Sequence, residues 1–163
     1  MLDALFMKMA EFDAGSPQRI QHLTKVHAFC AYIGRCEGLS ERERLTLEAA
    51  AYTHDIGIRP ALEKYGSAAG PLQEQEGPAY AREMLAGLGF DGGVIERVCW
   101  LIAHHHTYDP VEGVDHRILI EADFLVNLFE NASGGEACRA AYEKHFATEA
   151  GKRLWRCMFG GMK

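Results

Sequence analysis

Several features that would assign this chain of 163 residues to a common class are missing from it. No apolar run approaches the roughly 20 residues that a membrane-spanning helix needs. Acidic residues outnumber basic ones, with 23 Asp and Glu against 17 Lys and Arg, which argues against a surface that coats nucleic acid or binds an anionic membrane. We therefore expect a cytoplasmic protein without a nucleic-acid polymer or membrane as partner, and a homo-oligomer is compatible with this composition.

The five cysteines show none of the C-x-x-C spacing that marks many zinc and redox motifs. They are scattered along the chain at Cys30, Cys36, Cys99, Cys138 and Cys157. Their odd number and wide separation favour reduced thiols in a cytosolic protein. Residues 1–12 also lack the sustained apolar core of a signal peptide and fit an amphipathic helix better.

No segment alternates with a period of two for long enough to predict a strand. Apolar residues recur instead at three- and four-residue steps, which predicts helices near 17–34, 41–54, 78–89, 91–105, 118–129 and 136–158. Residues 60–71 contain two glycines and two prolines and are predicted to form an irregular loop with a short helical turn at 61–65. We predict a single all-α domain over residues 1–163, a compact bundle of about six helices around one core.

The dipeptide His54-Asp55 stands at the end of the Ala-rich run 47–53, and Gly57 and Pro60 follow it closely. The apolar run predicts a helix whose buried side ends at His54, and the glycine and proline predict that the helix stops there. An imidazole and a carboxylate at one backbone corner are two suitable ligands for a divalent metal ion. The corner needs further ligands from elsewhere in the chain.

Asp123 is the strongest candidate for a further ligand, because it interrupts the most apolar predicted helix. A buried carboxylate without a partner is so costly that it binds a proton, a donor or a cation. The alternatives to a metal ion are a helix N-terminus or an arginine such as Arg19 or Arg117. On the helix 17–34, His22 and His27 lie on the two flanks of the apolar face, and periodicity does not choose between them.

Taken together, His22, His54, Asp55 and Asp123 form a mixed nitrogen and oxygen set that suits Mn, Fe, Co, Ni or Zn better than Ca. Such an ion lowers the pKa of bound water to about 7 and can present hydroxide to phosphorus. Asp55 is the candidate to bind the ion and orient the water. Candidates for proton donation or phosphate binding lie nearby, and for each cation among them the alternative is a solvated surface charge. These candidates are His104, His105, His106, Arg59, Lys64 and Arg82.

Three motifs in this order resemble the HD superfamily of metal-dependent phosphohydrolases. They are His22-Leu-Thr-Lys-Val26, Ala49-Ala-Ala-Tyr-Thr-His-Asp-Ile-Gly57 and Glu121-Ala-Asp-Phe-Leu125. The resemblance covers about residues 19–130, implies an all-α HD-like fold, and favours His22 over His27 as the first ligand. Residues 64–67, 73–78 and 104–108 also look like an uncharacterised bacterial subgroup of HD-domain hydrolases.

The chain departs from the dinuclear members of that superfamily at Gln73, where those members usually supply a histidine. One bound ion is therefore expected rather than two, unless a nearby glutamate such as Glu74 or Glu76 substitutes. The resemblance implies a hydrolase for a small phosphate ester, such as a nucleotide. Asp55, His105 and His104 are the expected catalytic residues, and Arg59, Lys64 and His106 are expected to bind substrate.

Two other functions remain open from the sequence. A minority of the superfamily are di-iron oxygenases, and Gln73 counts against that assignment because those enzymes need the fuller ligand set. The other alternative is a non-catalytic regulatory module that a metal ion stabilises.

Overall fold

The computed structural model describes residues 1–161, and this range contains helices and connecting segments but no strand. The predicted all-α class is confirmed, whereas the predicted number of about six helices is too low. The helices are α1 (Leu2–Phe12), α2 (Pro17–Cys36), α3 (Glu41–Thr53), a 3-10 turn (His54–Gly57), α4 (Ile58–Tyr65), α5 (Gly70–Gly87), α6 (Gly92–Ile102), α7 (Val114–Glu130), α8 (Gly135–His145) and α9 (Glu149–Phe159). In the part of the chain described here, no helix is long and apolar enough to cross a lipid bilayer.

The segment predicted to be an irregular loop at 60–71 is largely helical. Helix α4 covers Ile58–Tyr65 and ends at Gly66, which has a positive φ of 67°. Helix α5 begins at Gly70 instead of at Pro78, and Pro78 lies inside it. The first half of α5 buries only Gln73 and Gly77, so it lacks the apolar stripe from which a sequence predicts a helix.

The predicted C-terminal helix 136–158 is two helices, α8 and α9. The chain leaves the helical path because the backbone N–H groups of Ala147 and Thr148 both donate to the Glu121 carboxylate. The Thr148 side chain then caps α9 by accepting from the N–H of Gly151. A long-range contact with α7 therefore ends α8, and no local signal predicts it.

Helix α3 lies at the centre of the bundle and packs against α1, α2, α6 and α7. Ala49, Ala50 and Ala51 are fully buried along it. Short side chains reduce the distance between helix axes, so the end of α3 lies close to the inward faces of α2 and α7. This packing brings residues 54 and 55 next to the other ligand candidates.

Candidate metal centre

Four side chains converge where α2, the 3-10 turn and α7 meet. The His22 Nε2 atom lies 3.2 Å from His54 Nε2 and 3.1 Å from Asp123 Oδ1. Asp55 completes the group, with its Oδ1 atom 3.5 Å from His54 Nε2 and its Oδ2 atom 3.6 Å from His22 Nε2. Three separate segments of the chain therefore direct two imidazoles and two carboxylates at one point.

The corner at His54 depends on close backbone packing. Helix α3 ends at Thr53, and residues 54–57 form a tighter 3-10 turn that departs from the helix path predicted through His54. Gly57 lies against α5 so closely that a Cβ atom there would collide with the backbone carbonyl of Gln73. Only glycine permits this contact, and the contact fixes the turn that carries His54 and Asp55.

A hydrogen-bond acceptor fixes each imidazole through its Nδ1 atom. His54 donates to the carbonyl of Ala51 at 2.9 Å, and His22 donates to Glu130 Oε2 at 3.0 Å. These oxygens can only accept, so each Nδ1 carries a proton and each Nε2 faces the cluster, where it can bind a metal ion once its own proton is displaced. This is the orientation of metal-binding histidines, whose other nitrogen donates to a carbonyl or carboxylate.

The distance between His22 Nε2 and His54 Nε2 indicates whether these residues could bind one cation. Two lone pairs 3.2 Å apart repel each other unless a proton or a cation lies between them. Ligand nitrogens about 2.1 Å from a shared metal ion are spaced by about 3.0–3.4 Å in octahedral or tetrahedral geometry. Asp123 Oδ1 is buried and makes no regular hydrogen bond, although it lies 3.1 Å from His22 Nε2. The donor set and its spacing fit a divalent metal ion.

The electrostatics of the site also favour a cation. Burial lowers the pKa of His54, but the Asp55 and Asp123 carboxylates outweigh this effect and raise it to about 9. Burial raises the pKa of Asp55, but His54 and His105 outweigh it and lower that pKa to about 2. The pKa of Asp123 is well below its usual range, because His22 and His54 outweigh its burial. Both carboxylates are therefore ionised at neutral pH and attract positive charge.

A second group of possible ligands, Asp55, His105 and His106, lies beside the first. His105 Nδ1 donates to the carbonyl of Ile102 at 2.7 Å, which leaves its buried Nε2 without a hydrogen-bond partner. That Nε2 lies 3.7 Å from Asp55 Oδ1. The Nε2 atom of His106 is likewise buried without a partner, and burial and His105 lower the pKa of His106 to about 4. Asp55 thus lies between the two groups.

His104 is the member of the histidine run that the structure does not bring to the cluster. Its ring stacks on Trp100 with centroids 4.1 Å apart, and its Nδ1 is 2.7 Å from the Trp100 carbonyl. Helix α6 ends at Ile102, not at residue 105 as predicted. Residues 104–106 therefore form a turn in which His104 packs on Trp100, whereas the rings of His105 and His106 lie together with centroids 4.0 Å apart. His104 therefore contacts Trp100 and not the cluster, and the catalytic role assigned to it stays a prediction.

Arg59 and Lys64, the predicted phosphate-binding cations, have other partners. The Arg59 guanidinium donates to Glu63 at 2.8 Å and to the carbonyl of Phe12 at 2.9 Å. Lys64 Nζ lies 3.1 Å from both oxygens of Glu76. Their role in substrate binding stays a prediction.

Arg82 also forms an ion pair, with Glu96.

The sequence left open whether an arginine neutralises Asp123 and whether His22 or His27 is the first ligand, and the positions of these residues answer both questions. Arg19 pairs with Asp13 at 3.0 Å, and Arg117 donates to the carbonyl of His145, so neither arginine neutralises Asp123. His27 lies 2.9 Å from Glu48 and stacks on Tyr52. His22, not His27, reaches the cluster.

Three residues of the site were not predicted from the sequence. Glu130 accepts from His22, and it follows Asp123 by seven residues, a spacing of two helical turns that could have indicated a shared face. Glu74, considered as a substitute ligand, instead accepts from the backbone of His106 and the hydroxyl of Thr107. The buried Asp13 lies close enough to Asp55 for that carboxylate to raise its pKa, although burial is the larger cause; no local signal indicates this.

The cluster is almost closed to solvent. His54 is fully buried, and the Asp55 side chain, at 16% exposure, is the most accessible of the four. Surface grooves lie elsewhere, such as one of about 420 Å³ lined by Phe12, Tyr80, Met84 and Leu88 among others. Any molecule that reaches the cluster therefore presents a small group to the Asp55 side.

A family model described as "HD domain" matches residues 19–150. A solved structure, of a predicted HD superfamily hydrolase from an uncultured Thermotogales bacterium, is similar with a TM-score of 0.69 and 24% identity, over 96% of this chain and 83% of that chain. At this identity the similarity shows the fold. No curated protein matches the chain.

Proposed function

This chain belongs to the HD domain family, and from that premise we propose that it is a metal-dependent phosphohydrolase acting on a small phosphate ester, such as a nucleotide. The observation that carries the proposal is the pair of imidazole Nε2 atoms 3.2 Å apart, each oriented by an acceptor on its other nitrogen and flanked by two ionised carboxylates. A single proton between the two nitrogens would leave the two carboxylates incompletely neutralised, whereas a divalent ion neutralises both.

The residues proposed to hold the ion are His22, His54, Asp55 and Asp123. Their mixed nitrogen and oxygen donors suit Mn, Fe, Co, Ni or Zn. A divalent ion in this position supplies Lewis acidity and lowers the pKa of water to about 7. The protein supplies orientation, because each imidazole is fixed at Nδ1 and α3 holds the turn that carries Asp55.

We propose one ion rather than two. The second group offers Asp55, His105 and His106, and Asp55 is shared with the first group. Gln73 occupies the position at which dinuclear relatives are expected to supply a histidine, and its Nε2 donates to the carbonyl of Ala68 at 2.7 Å. Glu74 already has partners in residues 106–107 and Glu76 in Lys64, which supports a single ion.

Asp55 and His105 are proposed to act on the reacting groups. Asp55 is the most exposed carboxylate of the cluster and lies between both groups of ligands, so it can accept a hydrogen bond from the attacking water and orient it. The His105 Nε2 has no hydrogen-bond partner and lies 3.7 Å from Asp55 Oδ1. It can bind a phosphate oxygen or transfer a proton to the leaving oxygen.

Arg19 is proposed as a further phosphate-binding cation. It precedes His22 by one helical turn on α2, and its partner Asp13 lies near Asp55. The Arg19 Nε atom is buried and makes an ion pair with Asp13 without a regular hydrogen bond. Among the described residues no hydrogen bond is seen to its terminal guanidinium nitrogens, and we propose that these bind a phosphate through a pair of parallel hydrogen bonds.

The proposal is tested with protein freed of metal by chelation, reloaded with Mn, Co, Ni, Fe or Zn, and assayed for phosphate release from nucleotides and simple phosphate esters. Activity should require the metal and disappear in His54→Ala. His27→Ala is the matched control, because His27 also bonds a carboxylate but lies outside the cluster. Activity retained by His54→Ala would contradict the assignment. Oxygen-dependent substrate loss with bound iron would support an oxygenase, and metal-dependent stability without turnover would support a regulatory module.

A further inference from the structure

His22 differs from the other two oriented imidazoles in the group that holds its Nδ1 atom. His54 and His105 donate to the backbone carbonyls of Ala51 and Ile102, which no side-chain substitution removes. His22 donates instead to the side chain of Glu130, 3.0 Å away and 29% exposed. The orientation of one ligand therefore depends on a single carboxylate near the surface.

Helix α7 contacts both ring nitrogens of His22. Asp123 Oδ1 is 3.1 Å from Nε2, and Glu130, the last residue of the same helix, is 3.0 Å from Nδ1. A carboxylate that accepts from Nδ1–H fixes the tautomer and ring plane and makes Nε2 a stronger electron donor. Glu130 is thus in a position to increase the affinity of His22 for a cation without touching that cation.

Lys25 opposes this effect. Its Nζ atom lies 2.7 Å from the other oxygen of Glu130 and 5.6 Å from the centre of the Phe129 ring. The two charged residues line a surface pocket of about 390 Å³ together with Pro17, Gln18 and Gln21. The ammonium withdraws part of the negative charge of Glu130 from His22, and it also repels a cation in the cluster.

On the basis of the proposed metal site, we infer that Glu130 is a positioning residue that sets the affinity of His22 for the metal ion, and that Lys25 limits this affinity. The two residues form an ion pair, yet their removal has opposite effects on the metal. Loss of the carboxylate weakens binding, and loss of the ammonium strengthens it.

The test is calorimetric titration of Co²⁺ or Mn²⁺ into metal-free protein. Glu130→Ala should weaken binding by about 10- to 100-fold, the usual effect of removing the partner of a ligating histidine. Glu130→Gln keeps an acceptor for Nδ1–H but removes the charge, so its affinity should lie between those of Glu130→Ala and the wild type. Lys25→Met should tighten binding by about two- to fivefold, a size typical of one exposed charge pair.

Glu149→Ala and Lys152→Met are the matched controls, because these residues form an ion pair at 3.2 Å on α9 away from the cluster. Neither should change the affinity. The inference predicts opposite changes in the two variants, whereas damage to the fold would weaken metal binding in both. Weaker binding by Lys25→Met would therefore overturn the inference. Unchanged affinity in Glu130→Ala would overturn this inference but leave the proposed function intact. Absence of metal binding by the wild type would overturn both.

Discussion

Helix α7 buries two carboxylates only two residues apart, and they have opposite surroundings. Glu121 is fully buried and accepts from the backbone N–H groups of Ala147 and Thr148 and from the Thr148 hydroxyl. Asp123 is 8% exposed, and its Oδ1 atom lies 3.1 Å from His22 Nε2 and 3.6 Å from His54 Nε2. Glu121 therefore has backbone and hydroxyl donors, whereas Asp123 faces two imidazoles that can also bind a metal ion.

Glu121 and Asp123 are both buried, so burial alone does not identify a functional carboxylate. Burial raises the pKa of Glu121, although its three donors act in the opposite direction. Burial also acts to raise the pKa of Asp123, but His22 and His54 outweigh it and lower that pKa. The kind of donor that surrounds the carboxylate, rather than its depth, separates a structural acid from a candidate ligand.

The largest effect is expected at Asp123. Asp123→Asn keeps the shape of the side chain but removes its charge, so phosphohydrolase activity should fall by at least about 1,000-fold, because the metal contributes several kcal/mol to transition-state stabilisation. In urea unfolding with a chelator present, the free energy of unfolding should fall by less than in Glu121→Ala, because Asp55 still faces the His54 imidazole at 3.5 Å and no backbone donor loses its acceptor. A large loss of stability in the chelated protein would show that Asp123 is structural like Glu121.

Glu121→Ala should show the opposite pattern. It leaves two backbone N–H groups and a hydroxyl without their acceptor, which should lower the free energy of unfolding by roughly 3 kcal/mol. Calorimetric titration should find the metal affinity unchanged at temperatures where the variant is folded. Glu96→Ala is the control, because Glu96 is 67% exposed in its pair with Arg82 and should change stability by less than about 0.5 kcal/mol.

Metal removal should lower the Tm of the Glu121 variant but not that of the Asp123 variant. A cation at 100 times its dissociation constant stabilises the folded state by about 2.7 kcal/mol, which corresponds to about 5–10 °C in Tm for a domain of this size. Differential scanning calorimetry with and without a chelator should show this shift in the wild type and in Glu121→Ala. A shift of the same size in Asp123→Asn would mean that the ion binds elsewhere.

The smallest effect is expected at two arginines that differ in how many partners they have. Arg59 has both a carboxylate and a carbonyl as partners, whereas Arg19 is only partly satisfied by Asp13. Arg19→Ala should raise the KM for a phosphate ester by about tenfold, the effect of one charged hydrogen-bonded contact. Arg59→Ala should change the KM by less than about threefold, as expected for an exposed charge. The reverse order would restore Arg59 as the phosphate-binding residue.

Much of the site followed from local patterns. The Ala-rich run before His54, the glycine after Asp55 and the apolar context of Asp123 indicated that these side chains lie inside, and the motif order indicated the family. The roles of Glu130, Arg19 and Glu74 did not follow, because each depends on a contact with a residue distant in the chain. The helical content of residues 58–77 was missed because that segment packs through glycines and a glutamine rather than through an apolar stripe.

The amino-acid sequence by itself determined the helical class, the buried faces and the candidates His54, Asp55 and Asp123, because periodicity and the cost of a buried charge are local properties. Periodicity left His22 and His27 open, and the motif resemblance favoured His22. Only the tertiary structure decided which nitrogen of each imidazole faces the cluster, that His105 reaches it while His104 does not, and that Glu121 is a structural carboxylate. The reason is that hydrogen-bond partners and distances of a few ångströms arise when separate helices pack.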